Sequence, residues 1–367
     1  MISRFLLYMM LFFVISTQSL CIYYNTVPQH RSKKTGGKMA MINEEMTLEE
    51  IVQMRGFNEF ERYLFQCRDE TWEKMKKIKL KDTLGNVEGR DVDFIVNGLR
   101  QMEDNISSGI RVCENLYSED EIREDQSKET VKLFFFPGRK GAPFVLICPG
   151  GGYRSVCSYQ EGFPSAAALS KEGYNAFILS YRVRLERYAD KPIHDLERAI
   201  RHILSHKKEY EVSEHYALMG FSAGGHLAAE MGTDNLGYMN YGLPKPDAML
   251  LCYPVLLVEK SNRLDASVNQ FYDTFESENG NGMEDHSVEK HMSEKYPPVF
   301  IWQMMDDFVI PIYQQEKVCQ KLISCHVPYE YLVFDVGNHA LTQKHPTKYN
   351  RWIRHCICFL QTFLSEE

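Results

Sequence analysis

The sequence has no Cys-x-x-Cys pair and no cysteine–histidine spacing of the zinc type, although it contains ten cysteines. A zinc ribbon and a thioredoxin-like redox motif are therefore excluded. Cys356 and Cys358 stand one residue apart, and Cys148 and Cys252 lie inside apolar runs. That is the placement of buried free thiols, which suits a reducing compartment. No cysteine has the setting of a catalytic one. A long basic stretch is also missing: 42 Lys and Arg face 50 Asp and Glu, for a net charge of −8. Nucleic acid is not expected as a partner, nor an anionic polymer as a substrate. There is no internal repeat, no G-x-G-x-x-G fingerprint, and no phosphate-loop lysine. With 44% hydrophobic and 25% charged residues in 367, the composition is that of one large globular domain with additions.

The amino terminus supports two expectations. Arg4 precedes an apolar run from Phe5 to Ile15. The run has the length of a signal-peptide core and falls short of the roughly 20 residues that a helix needs to cross a bilayer. No A-x-A-like cleavage site follows it. Thr35-Gly36-Gly37-Lys38-Met39 is what a ribosome-binding sequence and start codon would give if translated. Residues 1–38 are thus a signal-like segment or a mis-assigned start. A start near Met39 or Met41 implies a cytoplasmic protein; use of residues 1–22 implies secretion or membrane association, with no stable membrane span.

Residues 39–130 read as an amino-terminal helical extension with connecting strands. Thr47 and Glu50 form a capping box, and Ile51, Met54, Phe57, Phe60, Tyr63 and Leu64 follow at helical spacing. These predict a helix from Asn43 to about Lys81 that packs on the main domain. Strands are expected near Val92–Val96 and Ile110–Val112, and a solvated loop over Ser118–Glu129.

From Val131 short apolar strands alternate with helices. Strands are expected at Val131–Phe136, Phe144–Cys148, Ala176–Tyr181, Tyr216–Met219, Ala248–Tyr253, Val299–Gln303 and Tyr329–Phe334. Helices are expected at Ala166–Glu172, Pro192–Lys208, after Gly224, at Tyr313–Cys325 and at Thr347–Phe363. The alternation predicts an α/β fold over 131–367, with a mostly parallel, doubly wound sheet and helices on both faces. A polar stretch, 259–296, interrupts it with Asn279-Gly280-Asn281-Gly282 at its middle. It reads equally as a lid insertion over the carboxyl edge of the sheet or as a solvated excursion.

Gly220-Phe221-Ser222-Ala223-Gly224 lies between an apolar strand and a helix opening. Strand, sharp turn and helix are the context of a nucleophile elbow, with Ser222 as nucleophile. Such a serine needs a base, an acid to orient it, and donors for an oxyanion. Asp306 and Asp307 follow the strand Val299–Gln303. Asp307 is preferred as the acid, because Asp-x-x-Ile-Pro puts it on the turn before a helix; Asp306 is left with a turn or solvent contact. His339 follows the last strand in Gly337-Asn338-His339 and alone has both the required order and a strand-end position. His226, on the elbow helix, reads as structural. Oxyanion donors are Ala223 and Gly151 or Gly152, from the loop Pro149-Gly150-Gly151-Gly152-Tyr153. Tyr153 is a candidate substrate contact. This chemistry calls for no metal and no cofactor.

These motifs resemble the α/β-hydrolase superfamily, in its acetyl-esterase and acetylxylan-esterase-like branch, labelled by a bifunctional feruloyl and acetylxylan esterase. Ser180-Tyr181-Arg182, His194 to Ile200, and Pro297 to Trp302 extend the likeness, which covers Val131 to the carboxyl terminus. Proline stands where many lipase-like relatives have the histidine of His-Gly-Gly-Gly; backbone donors leave the hole intact. The resemblance implies that Asp195 is structural and that the substrate is a small acyl ester, acetyl on carbohydrate foremost. Two alternatives remain at this point. A prolyl-oligopeptidase-type peptidase shares Gly-x-Ser-x-Gly-Gly, but its propeller needs several blades of roughly 40 residues each, more than 39–130 supply. The other is a non-catalytic α/β-hydrolase-fold binding protein. The oligomeric state is open.

Overall fold

The computed structural model describes residues 41–54, 56–57, 60–65, 69–84, 92–183, 190–258, 285–335, 337–339 and 351–364. The amino-terminal segment 1–38 and residues 259–284 of the expected insertion lie outside these. Residues 41–367 form one compact unit.

In chain order the elements begin with α1 (Leu48–Val52), α2 (Asp69–Met75), α3 (Val92–Ser107), β1 (Cys113–Asn115), α4 (Glu119–Glu124), β2 (Lys132–Phe136), β3 (Phe144–Cys148) and α5 (Phe163–Lys171). They continue with β4 (Asn175–Ser180), α6 (Asp190–Ser205), β5 (Tyr216–Phe221), α7 (Ser222–Met231), β6 (Ala248–Cys252), α8 (Val288–His291) and β7 (Val299–Met304). The chain closes with α9 (Tyr313–Ser324), β8 (Tyr329–Phe334) and α10 (Arg351–Phe363). Among the described residues eight strands form one sheet in the order β1-β2-β4-β3-β5-β6-β7-β8. β1, β2 and β4 pair antiparallel, and every pairing from β4 through β3 to β8 is parallel.

Strands β2 to β7 are buried along their whole length. Their continuous apolar runs follow from having a helical layer on each face. Successive side chains alternate between the two cores. Phe144, Leu146 and Cys148 pack with Leu196, Ile200, Leu227 and Leu322 of α6, α7 and α9. Val145 and Ile147 pack on the other face with Leu99, Phe163, Trp352 and Leu360 of α3, α5 and α10. The doubly wound sheet expected from the sequence is the observed architecture.

The segment before β2 differs from its sequence reading. The Thr47–Glu50 capping box forms, but the long helix does not. α1 ends at Val52 with Gln53 as its C-cap, and Gly56 adopts φ +90°, a left-handed conformation that no helix continues through. The chain then folds back, so that Leu80 N donates to Met46 O (2.8 Å) and Leu48 N to Ile78 O (3.1 Å). Ile51, Phe57, Phe60 and Leu64 are nonetheless buried, in the core of the α3–α5–α10 face. Val92–Val96 is helix rather than strand. Ile95, Val96, Leu99 and Met102 are buried on one side of it, a 3.6-residue repeat hidden from a five-residue window. The strand of this region is β1, just beyond Val112. Ser118–Glu129 carries α4, capped by Ser118, whose N–H donates to Glu121 Oε2 (2.9 Å) while its hydroxyl accepts from Glu121 N (3.3 Å).

Asp195 anchors α6. Its carboxylate is fully buried and accepts from Arg182 N (2.9 Å), the Arg182 guanidinium (2.7 Å) and the Tyr117 hydroxyl (2.6 Å). The helix start is thereby fixed to the segment after β4, the structural role its resemblance implied.

Candidate active site

All the chemistry-bearing loops leave the carboxyl ends of parallel neighbours. Cys148 at the end of β3 is paired with Gly220 of β5, and Met304 of β7 with Phe334 of β8. Ser222 follows β5 directly and opens α7 with φ +50°, a conformation a serine adopts only under strain. The flanking glycine is forced by proximity: a Cβ on Gly224 would stand 2.1 Å from Cys148 O. The elbow therefore sits hard against the start of the Pro149–Tyr153 loop.

Ser222 Oγ lies 2.8 Å from His339 Nε2, and His339 Nδ1 lies 2.8 Å from Asp307 Oδ2. The other Asp307 oxygen accepts from Val309 N (2.9 Å) and Ile310 N (2.8 Å). Its side chain is fully buried, so the carboxylate has a single orientation. Two buried glutamines brace the surroundings: Gln303 donates to Ile310 O, and Gln315 donates to Pro254 O at 2.9 Å. Asp306 is not a mere turn residue. Its Oδ1 accepts from Gly337 N and Asn338 N, both at 2.8 Å, and so ties the loop after β7 to the loop that carries His339.

Gly151 and Gly152 adopt φ +127° and +62°. Their N–H groups donate to no acceptor among the described residues. Ala223 is in the first turn of α7, where backbone N–H groups have no intrahelical acceptor. Tyr153, expected to touch substrate, is 3% exposed, and its hydroxyl lies 3.0 Å from His226 Nδ1. Its ring packs instead in the core, edge-on to Tyr181 and His226.

His226 is structural. Its Nε2 donates to His286 O (2.7 Å), which leaves Nδ1 to accept from Tyr153. Burial lowers its pKa and keeps this neutral form. His286, from the described end of the 259–296 stretch, sets Nδ1 2.8 Å from Glu230 Oε1 on α7. Burial alone would lower His286, but the Glu230 carboxylate outweighs it and raises its pKa. Burial would raise Glu230, but His286 draws it below its usual value. The raised imidazole contributes stability that is complete below the unfolded histidine value, about 6.5, and fades as pH rises through the folded value. The lowered carboxylate contributes above its unfolded value, about 4.3, and fades on further acidification. His286→Gln is therefore expected to lower Tm by about 2 °C or more near pH 6 and by less than half of that near pH 9. An equal loss at both pH values, in thermal melts of the full chain, would show that the pair is not charged.

Two residues of the site carried no signal in the sequence. Glu161, in the π-helical turn Ser158–Gly162, is 5% exposed and accepts from Gly150 N at 2.6 Å. The buried Tyr253 hydroxyl donates to its other oxygen at 2.8 Å. The Tyr253 ring meets the His339 ring edge to face, with centroids 5.0 Å apart.

The sheet, the elbow and the loops at its carboxyl edge have the α/β-hydrolase fold. The family model described as BD-FAE matches residues 135–249, from the end of β2 into β6. The chain is 28% identical over 256 residues to endo-1,4-beta-xylanase B of Butyrivibrio fibrisolvens, covering 66% of this chain and 40% of that protein. It is 26% identical over 191 residues to an acetylxylan esterase of Xylanibacter ruminicola, covering 48% and 36%. The chain thus spans about two-fifths of the length of the curated relatives it matches. Among solved structures it resembles the acetyl ester-xyloside bifunctional hydrolase of Caldicellulosiruptor lactoaceticus, with a TM-score of 0.58 and 26% identity over 69% of this chain and 97% of the other. Among the described residues no helix is long and apolar enough to cross a membrane.

Proposed function

We propose that the chain hydrolyses short-chain carboxylic esters, acetyl esters on xylan-type carbohydrate foremost, through an acyl-enzyme on Ser222. The observation that carries this reading is the unbroken relay Ser222 Oγ–His339 Nε2, 2.8 Å, and His339 Nδ1–Asp307 Oδ2, 2.8 Å. His339 takes the hydroxyl proton as Ser222 Oγ attacks the ester carbonyl. Asp307 holds the Nδ1–H tautomer and stabilises the imidazolium. The oxyanion is received by the N–H of Ala223 and that of Gly151 or Gly152. The imidazolium then protonates the leaving alkoxide, and water attacks the acyl-enzyme with His339 again as base. The carbohydrate part of the proposal is supported by the names of two relatives, a xylanase and an acetylxylan esterase.

Rates on p-nitrophenyl acetate, butyrate and octanoate, on acetylated xylo-oligosaccharides and on a prolyl amide test it. The expected order places acetylated xylo-oligosaccharides first and acetate above the longer chains. Cleavage of the prolyl amide with inert esters would replace the esterase by a peptidase. Failure of a fluorophosphonate to label Ser222 in the folded chain would defeat both.

A further inference from the structure

Behind the Ser222–His339–Asp307 relay lies a second buried carboxylate that the hydrolysis scheme does not use. Glu161 is reached from two sides. On one, Gly150 N of the oxyanion loop donates to Oε2 at 2.6 Å. On the other, the Tyr253 hydroxyl donates to Oε1 at 2.8 Å, and the Tyr253 ring stands edge-on to His339. The loop after β3 and the loop after β6 are thereby joined through one side chain.

We infer that Glu161 is a positioning residue: its carboxylate sets the separation between the oxyanion loop and the imidazole of His339. This inference rests on the ester-hydrolase reading. Three features favour it over a bland buried acid. Each oxygen accepts from a different donor, a pattern that suits the ionised form. Gly150 immediately precedes the two glycines whose N–H groups donate to no acceptor among the described residues, so a shift of Gly150 swings both donors. The groups facing the carboxylate are Gly150 N–H, the Tyr253 hydroxyl and His339, with Tyr181 and Cys252 sensing its charge from further off. Of these only His339 can become a cation, so an ionised Glu161 adds to Asp307 in stabilising the imidazolium. Burial pushes the Glu161 carboxyl up, while Gly150 N–H, the Tyr253 hydroxyl and His339 oppose that rise.

The test uses the full chain with Glu161→Gln, Glu161→Asp, Tyr253→Phe and the Gln/Phe double variant. Two readouts are taken. The first is kcat and KM on p-nitrophenyl acetate, per active site titrated with a fluorophosphonate. The second is the midpoint of the His339 ring-proton titration by NMR, which needs no turnover. Glu161→Gln is expected to lower kcat per titrated site by about 10- to 100-fold, with KM changed less than about threefold, as a displaced oxyanion donor would. Its His339 midpoint is expected to move to lower pH. Glu161→Asp, which keeps the charge and shortens the reach, is expected to keep the midpoint and still lose kcat. The double variant is expected to be no worse than Glu161→Gln by more than about threefold, because both break one bridge. An unchanged kcat per titrated site overturns the inference, including where fewer molecules are folded. So does an unmoved midpoint in Glu161→Gln. If the wild-type chain hydrolyses no ester, the functional reading fails, and the NMR midpoint still decides the coupling of Glu161 to His339.

Discussion

Ser222→Ala is expected to lower kcat on p-nitrophenyl acetate by about 10³- to 10⁶-fold with little change in KM. The loss is large because the oxygen that would form the proposed acyl-enzyme is gone, and among the described residues no other hydroxyl is bonded to His339 Nε2. The residual rate has a defined source. Backbone donors at Gly151, Gly152 and Ala223 remain, and water at the base still finds a polarised carbonyl. The fold should tolerate the change. Alanine at φ +50° is strained much as serine is, and the lost hydrogen bond is one that binds a catalytic partner rather than the core. Thermal melting within about 2 °C of wild type, a change of under about 1 kcal/mol for a domain of this size, is the control that separates lost chemistry from lost structure. His339→Ala should reach a similar floor, and the double variant should fall hardly further, because the two act as a unit. A Ser222→Ala protein that retained even a tenth of the rate would place the nucleophile elsewhere in the chain.

The elements that position this serine were legible because their signals are local. Phe144–Cys148 and Val299–Gln303 are apolar runs of strand length, and burial by helices on both faces is what such runs require. Gly220 and Gly224 are readable because such a turn admits no Cβ, which would meet the first turn of α7 at Gly220 and the end of β3 at Gly224. Order and strand-end position alone single out Asp307 and His339, and the structure brings them within 2.8 Å of each other. What escaped was set by tertiary contacts. Whether residues after Thr47 continue as a helix depends on how Gly56 turns and on the pairing of Met46 and Leu48 with residues 78–80. Glu161 stands 11 residues from Gly150 and 92 from Tyr253, in a stretch with no motif of its own. The inward turn of Tyr153 became visible only with His226 and His286 in place. The short Ser118–Glu121 capping box is different: its signal was present, and the acidity of the surrounding residues masked it.

Asp307→Asn is expected to lower kcat by about 10⁴-fold while leaving the chain folded, a result that would assign the acid between two adjacent aspartates. The asparagine carbonyl can still accept from Val309 N and Ile310 N, which bond Oδ1 at 2.9 and 2.8 Å. Its amide nitrogen must then face His339 Nδ1. Two donors cannot share that contact, so Nδ1 becomes the acceptor and the ring proton moves to Nε2. A protonated Nε2 cannot take the proton of Ser222, and the relay is reversed in polarity with every atom near its original place. Asp306→Asn makes the comparison sharp. Among the described residues Asp306 Oδ1 accepts only backbone N–H groups, from Gly337 and Asn338, and an asparagine oxygen can do the same. A loss of about tenfold or less is expected there, from a slightly displaced His339 loop. The pH profile separates the two again. In Asp307→Asn, activity should recover toward alkaline pH, where hydroxide can attack without a serine base, whereas Asp306→Asn should keep the wild-type profile at reduced height. A larger loss in Asp306→Asn than in Asp307→Asn would exchange their roles.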